Sequence, residues 1–171
     1  MNPSATDRHE IFMRRALELA DQASEQGEVP IGAVVVQDGK IIGEGFNQTI
    51  TGLDPSAHAE MVAIRAAAKR IGNYRLVGCS LYVTIEPCSM CTGLLVHSRI
   101  STLVYGAEEP KAGAICSAVD IATQSHFNHQ FAIFAGVLAD DCAAKMSQFF
   151  KVRRERKKAL RARVNTNKDL E

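Results

Sequence analysis

Two short stretches, His58-Ala59-Glu60 and Pro87-Cys88-Ser89-Met90-Cys91, decide the fold and the chemistry expected of this chain. They supply one imidazole and two thiols, and three such ligands leave the fourth position of a tetrahedral zinc ion open for water. The carboxylate two residues after His58 can then handle the proton of that water. We therefore predict one zinc ion per subunit, with Glu60 as the catalytic residue. The predicted zinc ligands are His58, Cys88 and Cys91.

A Cys-x-x-Cys pair has three other common uses: a reduced pair in the core, a redox site, or a closed structural zinc site. A redox pair would not need His58 or Glu60. A closed structural site would need a fourth Cys or His ligand, and no further Cys or His stands beside either stretch. His-x-Glu combined with Pro-Cys-x-x-Cys is instead the signature of zinc-dependent nucleobase deaminases. The pattern therefore favours a catalytic zinc site.

The length and composition are typical of one globular domain, which we assign to residues 1–171. No run of eighteen apolar residues is present, so we expect no membrane span. The segment 1–15 is polar and charged and lacks the apolar core of a secretion signal. Five cysteines, an odd number, fit a reducing compartment and hence a cytoplasmic protein. We expect the three cysteines outside the motif to be small apolar residues in the core or near the surface. They are Cys79, Cys116 and Cys142.

The formal net charge of +1 is distributed unevenly along the chain. From Lys145 to the end there are ten basic and three acidic residues, or +7, whereas the preceding 144 residues carry −6. Phe149 and Phe150 stand at the start of this basic segment. Because single-stranded RNA loops are bound by aromatic stacking and backbone charge, we predict RNA contact from Phe149 to Arg154. Beyond Lys157 we expect an ordinary solvated basic helix.

Hydrophobic periodicity and turn residues predict the order of helices and strands. The predicted helices run from Asp7 to about Glu25, from about His58 to Arg70, from Pro87 to about His97, and from about 139 to 163. The predicted strands are Ile31–Val36, Lys40–Glu44, Ser80–Ile85, Ser101–Tyr105 and Phe131–Phe134. An Asp38-Gly39 turn is expected to join the first two strands. Asp7 is the expected cap of the first helix, with Glu10 as its reciprocal partner. Pro87 is expected in the first turn of its helix. A short helix is expected at Val119–Thr123.

After the hairpin, strands alternate with helices, and each helical crossover is expected to return the next strand in parallel. We predict an α/β domain of three layers, α/β/α, around a central mixed five-stranded sheet. Its C-terminal helix, about 139–163, is basic, and the tail after it is expected to be disordered. In a regular helix Glu60 would point away from His58, so the zinc site requires His58 at the very edge of the helix. Cys88 and Cys91 share one face of a first helical turn, whose N–H groups favour thiolates.

Beyond the zinc motif, further stretches resemble bacterial tRNA-specific adenosine deaminases of the cytidine deaminase-like superfamily. They are Glu28-Val29-Pro30-Ile31-Gly32-Ala33-Val34, Gly45-Phe46-Asn47, Asn73-Tyr74-Arg75-Leu76, His97-Ser98-Arg99-Ile100, Gly106-Ala107, Lys111-x-Gly113-Ala114, Asn128-His129, and Phe149-Phe150 with Arg153-Arg154. The zinc motif is common to many deaminases, so these flanking matches carry the indication of tRNA. The resemblance implies a cytidine deaminase-like fold.

The resemblance also implies hydrolytic deamination of adenosine to inosine at the wobble position of a tRNA anticodon. Zinc hydroxide would attack C6, while Glu60 shuttles protons. Asn47 would hydrogen-bond the flipped adenine and Ile31 would form part of the pocket wall. The anticodon stem-loop would contact Glu109, Lys111, Asn128, Phe149, Phe150, Arg153 and Arg154. The family is homodimeric, and the neighbouring subunit helps to build each groove.

Simpler roles exist for the residues outside the zinc motif. Asn47 can form a turn after Gly45, and the proposed RNA contacts can be surface charges and core aromatics. Two departures from the family also stand near the site: Glu109 replaces the usual Asp, and Pro110-Lys111-Ala112 replaces Ala-Lys-Thr. The longer carboxylate of Glu109 can still reach a ribose hydroxyl.

Two rival functions are compatible with parts of this pattern. A deaminase of free bases or nucleotides, such as guanine, cytosine or deoxycytidylate, would share the zinc motif but would not need the basic C-terminal segment. A zinc-stabilised RNA-binding protein without turnover would not need Glu60 beside His58. Ammonia release from an anticodon stem-loop, compared with free nucleosides and bases, separates the three.

Overall fold

A computed structural model describes residues 5–168 of the chain. The helices are α1 (Ala5–Glu25), α2 (Ala59–Ile71), α3 (Ser89–His97) and α4 (Ala139–Lys168). The strands are β1 (Gly32–Gln37), β2 (Lys40–Phe46), β3 (Ser80–Ile85), β4 (Thr102–Ala107) and β5 (Ala132–Phe134). Within the described range these strands form one sheet in the order β2-β1-β3-β4-β5.

The sheet is mixed, as predicted. β1 runs antiparallel to both β2 and β3, and β3, β4 and β5 are parallel to one another. The β1–β2 hairpin turns at Asp38 and Gly39, whose φ angles of 50° and 73° are the positive values that a tight hairpin turn requires. The crossover through α2 therefore leads from β2 to β3 in the same direction, with β1 between them. The crossover through α3 joins the neighbouring strands β3 and β4.

Alternating residues along the strands build two separate cores, one on each face of the sheet. On one face, Ala33, Val35 and Val83 pack with residues of α2 and α3, including Ala63 and Leu95. The opposite face packs against α1 and α4 through a second set, which includes Val34, Val36, Tyr82, Val104, Met13, Ala16 and Cys142. The predicted three-layer α/β/α arrangement is therefore confirmed.

Glycine in β2 lets α2 approach the sheet very closely. A Cβ atom on Gly45 would lie 2.5 Å from the carbonyl oxygen of Ala59 and 2.5 Å from the backbone nitrogen of Ala63. No real side chain tolerates such distances, so the first turn of α2 packs directly on the backbone of β2. This contact fixes the position of the helix start that carries His58 and Glu60.

The structure corrects several predicted details. α1 begins at Ala5, before Asp7, so Asp7 lies within the helix and is not its cap. Pro87 precedes the cap residue Cys88 and therefore lies outside the first turn of α3. The predicted short helix at Val119–Thr123 is wrong, because this stretch contains only turns and irregular backbone. Its Thr123 side chain and N–H bond to Asp120, a local arrangement that competes with helix formation.

The basic C-terminal helix is longer than predicted. It continues to Lys168, about five residues past the predicted end near 163, and the remainder of the tail that was expected to be disordered, 169–171, lies outside the described residues. No helix within residues 5–168 is both long and apolar enough to span a membrane.

Candidate metal centre and substrate cleft

Two helix N-termini meet at the centre of the candidate site. His58 immediately precedes α2 and Cys88 immediately precedes α3, and both have extended backbone angles, with ψ of 154° and 175°. Neither side chain caps its own helix, so the imidazole and the thiol are free to face each other. The prediction that His58 stands at the very edge of its helix is confirmed.

Three donor atoms converge between these helix starts. His58 Nδ1 lies 3.6 Å from the sulfur of Cys88 and 3.6 Å from the sulfur of Cys91. Tetrahedral zinc, with bonds of about 2.3 Å to sulfur and 2.0–2.1 Å to nitrogen, holds such donors roughly 3.5–3.6 Å apart. The cluster therefore fits zinc. Among residues 8–162, no other His, Cys, Asp or Glu belongs to this group, so the cluster offers three donor atoms to a metal.

Mutual hydrogen bonding shifts the pKa values of these side chains. Contact with the Cys91 thiol, together with His58, stabilises the Cys88 thiolate and lowers the pKa of Cys88 to about 3. The same Cys88 sulfur raises the pKa of His58. It also raises the pKa of Cys91, and burial adds to that shift. One thiolate is thus already favoured, and a divalent ion would favour the second by the same electrostatic attraction.

Glu60 lies on the first turn of α2 and is only 4% exposed. Burial raises the pKa of its carboxyl group, against the attraction of His58. Its side chain interacts with the Cys91 thiol and lines the same cleft as His58 and Cys88. A carboxyl group in this position can take up and release a proton beside the donor cluster.

A cleft of about 690 Å³ opens above the cluster. This volume lies in the range of roughly 300–1,000 Å³ that is typical of small-molecule sites, so the cleft can hold a nucleoside. It contains six of the residues that the sequence predicted to bind substrate. They are Ile31, Asn47, Glu109, Lys111, Phe150 and Arg154.

Asn47 is held in this cleft by a defined hydrogen bond. Its Oδ1 atom accepts the backbone N–H of Ala59 at 2.9 Å, so its side chain satisfies one of the free N–H groups at the start of α2. Its own backbone N–H donates to the carbonyl oxygen of Ile31 at 3.1 Å. One of the two lone pairs of the amide oxygen is therefore engaged, and the side-chain NH2 group can donate to a ligand.

The opposite rim of the cleft is formed by the segment after β4. The Glu109 carboxylate accepts the backbone N–H of Lys111 at 3.0 Å, which folds this rim into a tight turn. The Lys111 side chain is exposed, and Glu109 is half-buried. Asn128 lies further along the same connection, outside the cleft, and its carbonyl oxygen accepts a bond from Arg99 at 2.9 Å. Its contact with RNA stays a prediction.

A second groove adjoins the cleft between the end of α1 and the middle of α4. It has a volume of about 750 Å³ and shares Phe150 and Arg154 with the cleft. Phe149 and Arg153 also line it, with the Arg153 guanidinium 5.7 Å from the centre of the Phe149 ring. The predicted aromatic and basic residues thus form one continuous surface that leads away from the donor cluster.

Two buried carboxylates near the site were not predicted from the sequence. Glu28 is fully buried and accepts hydrogen bonds from the segment 49–51, including the N–H groups of Ile50 and Thr51 at 2.8 and 2.7 Å. Glu86 directly precedes Pro87 and is 3% exposed. Burial opposes ionisation of Glu86, but bonds from Ser117, Cys116 and Glu109 lower its pKa to about 2. The position of Glu86 directly after an apolar strand is the one sequence signal that could have pointed to it.

Comparison with known proteins agrees with this geometry. Residues 6–107 match the family described as the cytidine and deoxycytidylate deaminase zinc-binding region. The tRNA-specific adenosine deaminase of Haemophilus influenzae is 50% identical over 161 residues, which cover 94% of this chain and 93% of that relative. The chain belongs to the tRNA-specific adenosine deaminase family. The fold and the zinc-binding motif of that family are therefore those expected here.

Solved structures support the same placement. A structure from a study of A-to-I editing by tRNA:A34 deaminases at the wobble position of transfer RNA has 42% sequence identity and a TM-score of 0.77, and covers 79% of this chain and 98% of that one. The guanine deaminase of Bacillus subtilis has 45% identity and a TM-score of 0.56, with coverage of 63% and 66%. The predicted cytidine deaminase-like fold is confirmed. The structure from the tRNA deaminase study covers more of this chain than the guanine deaminase structure does.

Proposed function

We propose that this protein hydrolyses the 6-amino group of adenosine at the wobble position of a tRNA anticodon, giving inosine and ammonia. The observation that carries the proposal is the placement of buried Glu60 beside a three-donor cluster whose 3.6 Å spacings fit zinc. Family membership and the adjoining aromatic and basic groove support a tRNA substrate.

Zinc held by His58, Cys88 and Cys91 would supply acidified water at neutral pH. Two thiolates cancel the charge of the ion, so this acidification is weaker than with three histidines, and a nearby base is needed. Glu60 takes one proton from water as the oxygen adds to C6 of adenosine. It delivers that proton to a ring nitrogen and then moves the remaining proton of the new C6 hydroxyl to the amine, so that the C6–N bond breaks, the C6 carbonyl forms and ammonia leaves.

Asn47 and Ile31 orient the base for this reaction. The Asn47 amide oxygen is engaged by the Ala59 N–H, so its NH2 group donates to an acceptor nitrogen of the purine ring. Ile31 contributes apolar wall on the same side of the cleft. A target base flipped out of the anticodon loop would enter here, as enzymes that modify bases require.

The remaining anticodon nucleotides follow the continuous surface along α4. Phe149 and Phe150 offer stacking faces, while Arg153 and Arg154 offer charge to phosphates. Lys111 and Glu109 on the opposite rim contact the nucleotides next to the target, with Glu109 reaching a ribose hydroxyl. Residues beyond Lys157 contribute mainly long-range charge.

We also propose that the enzyme works as a homodimer in the cytoplasm. Leu53, in the loop that follows Asn47, is 90% exposed, and Ile50 in the same loop is 55% exposed. A second subunit that covers such apolar side chains would complete the groove beside the cleft. All five cysteines of the chain are free thiols, which fits a reducing compartment. Sedimentation of the purified protein tests the dimer.

The decisive experiment measures inosine and ammonia from a synthetic anticodon stem-loop that carries adenosine at the wobble position. Free adenosine, adenine, guanine and cytidine are assayed in parallel, and zinc is quantified in the same preparation. We expect about one zinc per chain and turnover of the stem-loop alone. Preferential turnover of guanine would assign the protein to free-base deaminases. Tight stem-loop binding without any product would identify an RNA-binding protein instead.

A further inference from the structure

Glu86 is a buried carboxylate that the reaction itself does not use. It follows the last residue of β3, precedes the Pro87-Cys88 start of α3, and is 3% exposed. It does not belong to the donor cluster. Within residues 5–168, none of the ion pairs involves it. A buried charge without a cationic partner requires hydrogen bonds from dipoles.

Those hydrogen bonds all come from one segment, residues 109–117. Glu86 Oε1 accepts the backbone N–H groups of Ile115 at 3.0 Å, Cys116 at 2.8 Å and Ser117 at 3.0 Å. Glu86 Oε2 accepts the N–H of Glu109 at 3.1 Å and the hydroxyl of Ser117. Successive N–H groups that converge on one anion form a backbone nest. One carboxylate thus fixes both ends of this segment.

The middle of the segment is pressed against the same carboxylate. A Cβ atom on Gly113 would lie 2.4 Å from Glu86 Oε2 and 2.7 Å from the Glu109 carbonyl oxygen, so only glycine fits. Two backbone contacts join the segment to the start of α3: Cys88 pairs with Gly113, and the Ala114 N–H donates to the Pro87 carbonyl oxygen at 2.8 Å. Residues 109–117 therefore wrap around the 86–88 stretch.

This segment is also the rim of the substrate cleft. Glu109, Lys111 and Ala112 line the cleft together with Glu86. We propose that Glu86 is a positioning residue, which holds segment 109–117 in place so that Glu109 and Lys111 can bind the nucleotides next to the target adenosine. The consequence for RNA binding rests on the proposed function. Glu86 thereby controls affinity for the stem-loop, whereas Glu60 and the metal ligands control the chemical step.

The test replaces Glu86 by glutamine, which has the same size but presents an NH2 group to the N–H donors of the segment. Ser117→Ala removes a single donor to Glu86. Glu44→Gln is the matched control, since it removes the same charge at a position that lines neither the cleft nor the groove. For Glu86→Gln we expect KM for the stem-loop to rise about 10- to 100-fold, with kcat within about threefold and zinc content unchanged. Ser117→Ala should show a smaller rise in KM, and Glu44→Gln none.

Hydrogen exchange gives a readout that does not depend on RNA. The amides of Ile115, Cys116 and Ser117 should exchange at least about tenfold faster in Glu86→Gln, while amides of β3 keep their rates. Unchanged KM and unchanged exchange would overturn the proposal, as would a loss of kcat or zinc at constant KM. If Glu86→Gln does not fold, the same readouts on Ser117→Ala decide. Failure of the wild-type protein to deaminate the stem-loop would instead count against the proposed function.

Discussion

Asn47 combines two tasks that substitutions can separate. Its oxygen caps the start of α2 through the Ala59 N–H at 2.9 Å, and its NH2 group is proposed to donate to the purine ring. Asn47→Asp keeps an oxygen for the helix but replaces the donor by a second acceptor. Asn47→Ala removes both groups. The two variants should therefore rank in opposite orders for stability and for activity.

The magnitudes follow from the two interactions. Loss of the hydrogen bond from the Ala59 N–H costs about 1 kcal/mol. This lowers the melting temperature of a domain of this size by roughly 2–4 °C, so Asn47→Ala should melt that much lower. Asn47→Asp should melt within about 2 °C of wild type, because attraction to the helix N-terminus offsets burial of its charge. For activity, Asn47→Ala loses one neutral hydrogen bond to the base, which costs about 1 kcal/mol of transition-state stabilisation. Asn47→Asp places an acceptor opposite an acceptor of the base, which costs about 3 kcal/mol. The latter corresponds to roughly 150-fold in kcat/KM.

Melting curves, zinc content and kcat/KM on the anticodon stem-loop check this prediction. We expect stability in the order wild type, Asp, Ala, and kcat/KM in the order wild type, Ala, Asp, with about 5- to 10-fold loss for Ala and more than 100-fold for Asp. Zinc should remain bound in both variants. An Asn47→Asp enzyme that is more active than Asn47→Ala would show that the Asn47 NH2 group does not donate to the base.

Four further predictions concern Glu60, the proposed metal site, the proposed RNA surface and pH. Glu60→Ala should retain zinc while losing at least about 1,000-fold in kcat; a metal-free variant would instead make Glu60 a ligand. Cys88→Ser should lower zinc content and melting temperature together, and full zinc occupancy would remove Cys88 from the ligand set. A chain that ends after Phe150 should bind the stem-loop more weakly and with a shallower salt dependence, because phosphate contacts are lost; an equal salt slope would contradict that role. Since the folded pKa of Glu86 is about 2, below its ordinary value, the stabilisation that its charge provides is present above about pH 4.5 and declines on acidification. The free energy of unfolding of wild type should therefore fall by about 1 kcal/mol relative to that of Glu86→Gln between pH 6 and pH 4 in denaturant titrations.

The cluster of three donor side chains could be predicted because it depends on residue type and short spacing. His58, Cys88 and Cys91 each carry a soft or borderline donor, and their positions at helix starts follow from local signals. The structure brings them within 4.8 Å of one another, as the pattern required. The mixed sheet was predictable for a similar reason, since the Asp38-Gly39 turn and the alternating helices restrict the topology.

Other features depend on contacts between distant parts of the chain. The donors that bind Glu86 lie 23 to 31 residues away, and nothing in the sequence around Glu86 specifies them. Glu28 is similar, because its partners are 21 to 23 residues further on. The helix predicted at Val119–Thr123 does not form, because the Thr123 N–H and hydroxyl bond to the Asp120 side chain instead.

The contact of α2 with Gly45 has a consequence for how the enzyme can change over time. Two main chains meet there with no side chain between them, so the distance from the sheet to the α2 backbone at Glu60 does not depend on any rotamer in between. Substitutions in the surrounding core can alter stability without moving this stretch of backbone. Residues that line the pocket can therefore be exchanged in the course of evolution while the backbone that carries Glu60 keeps its place.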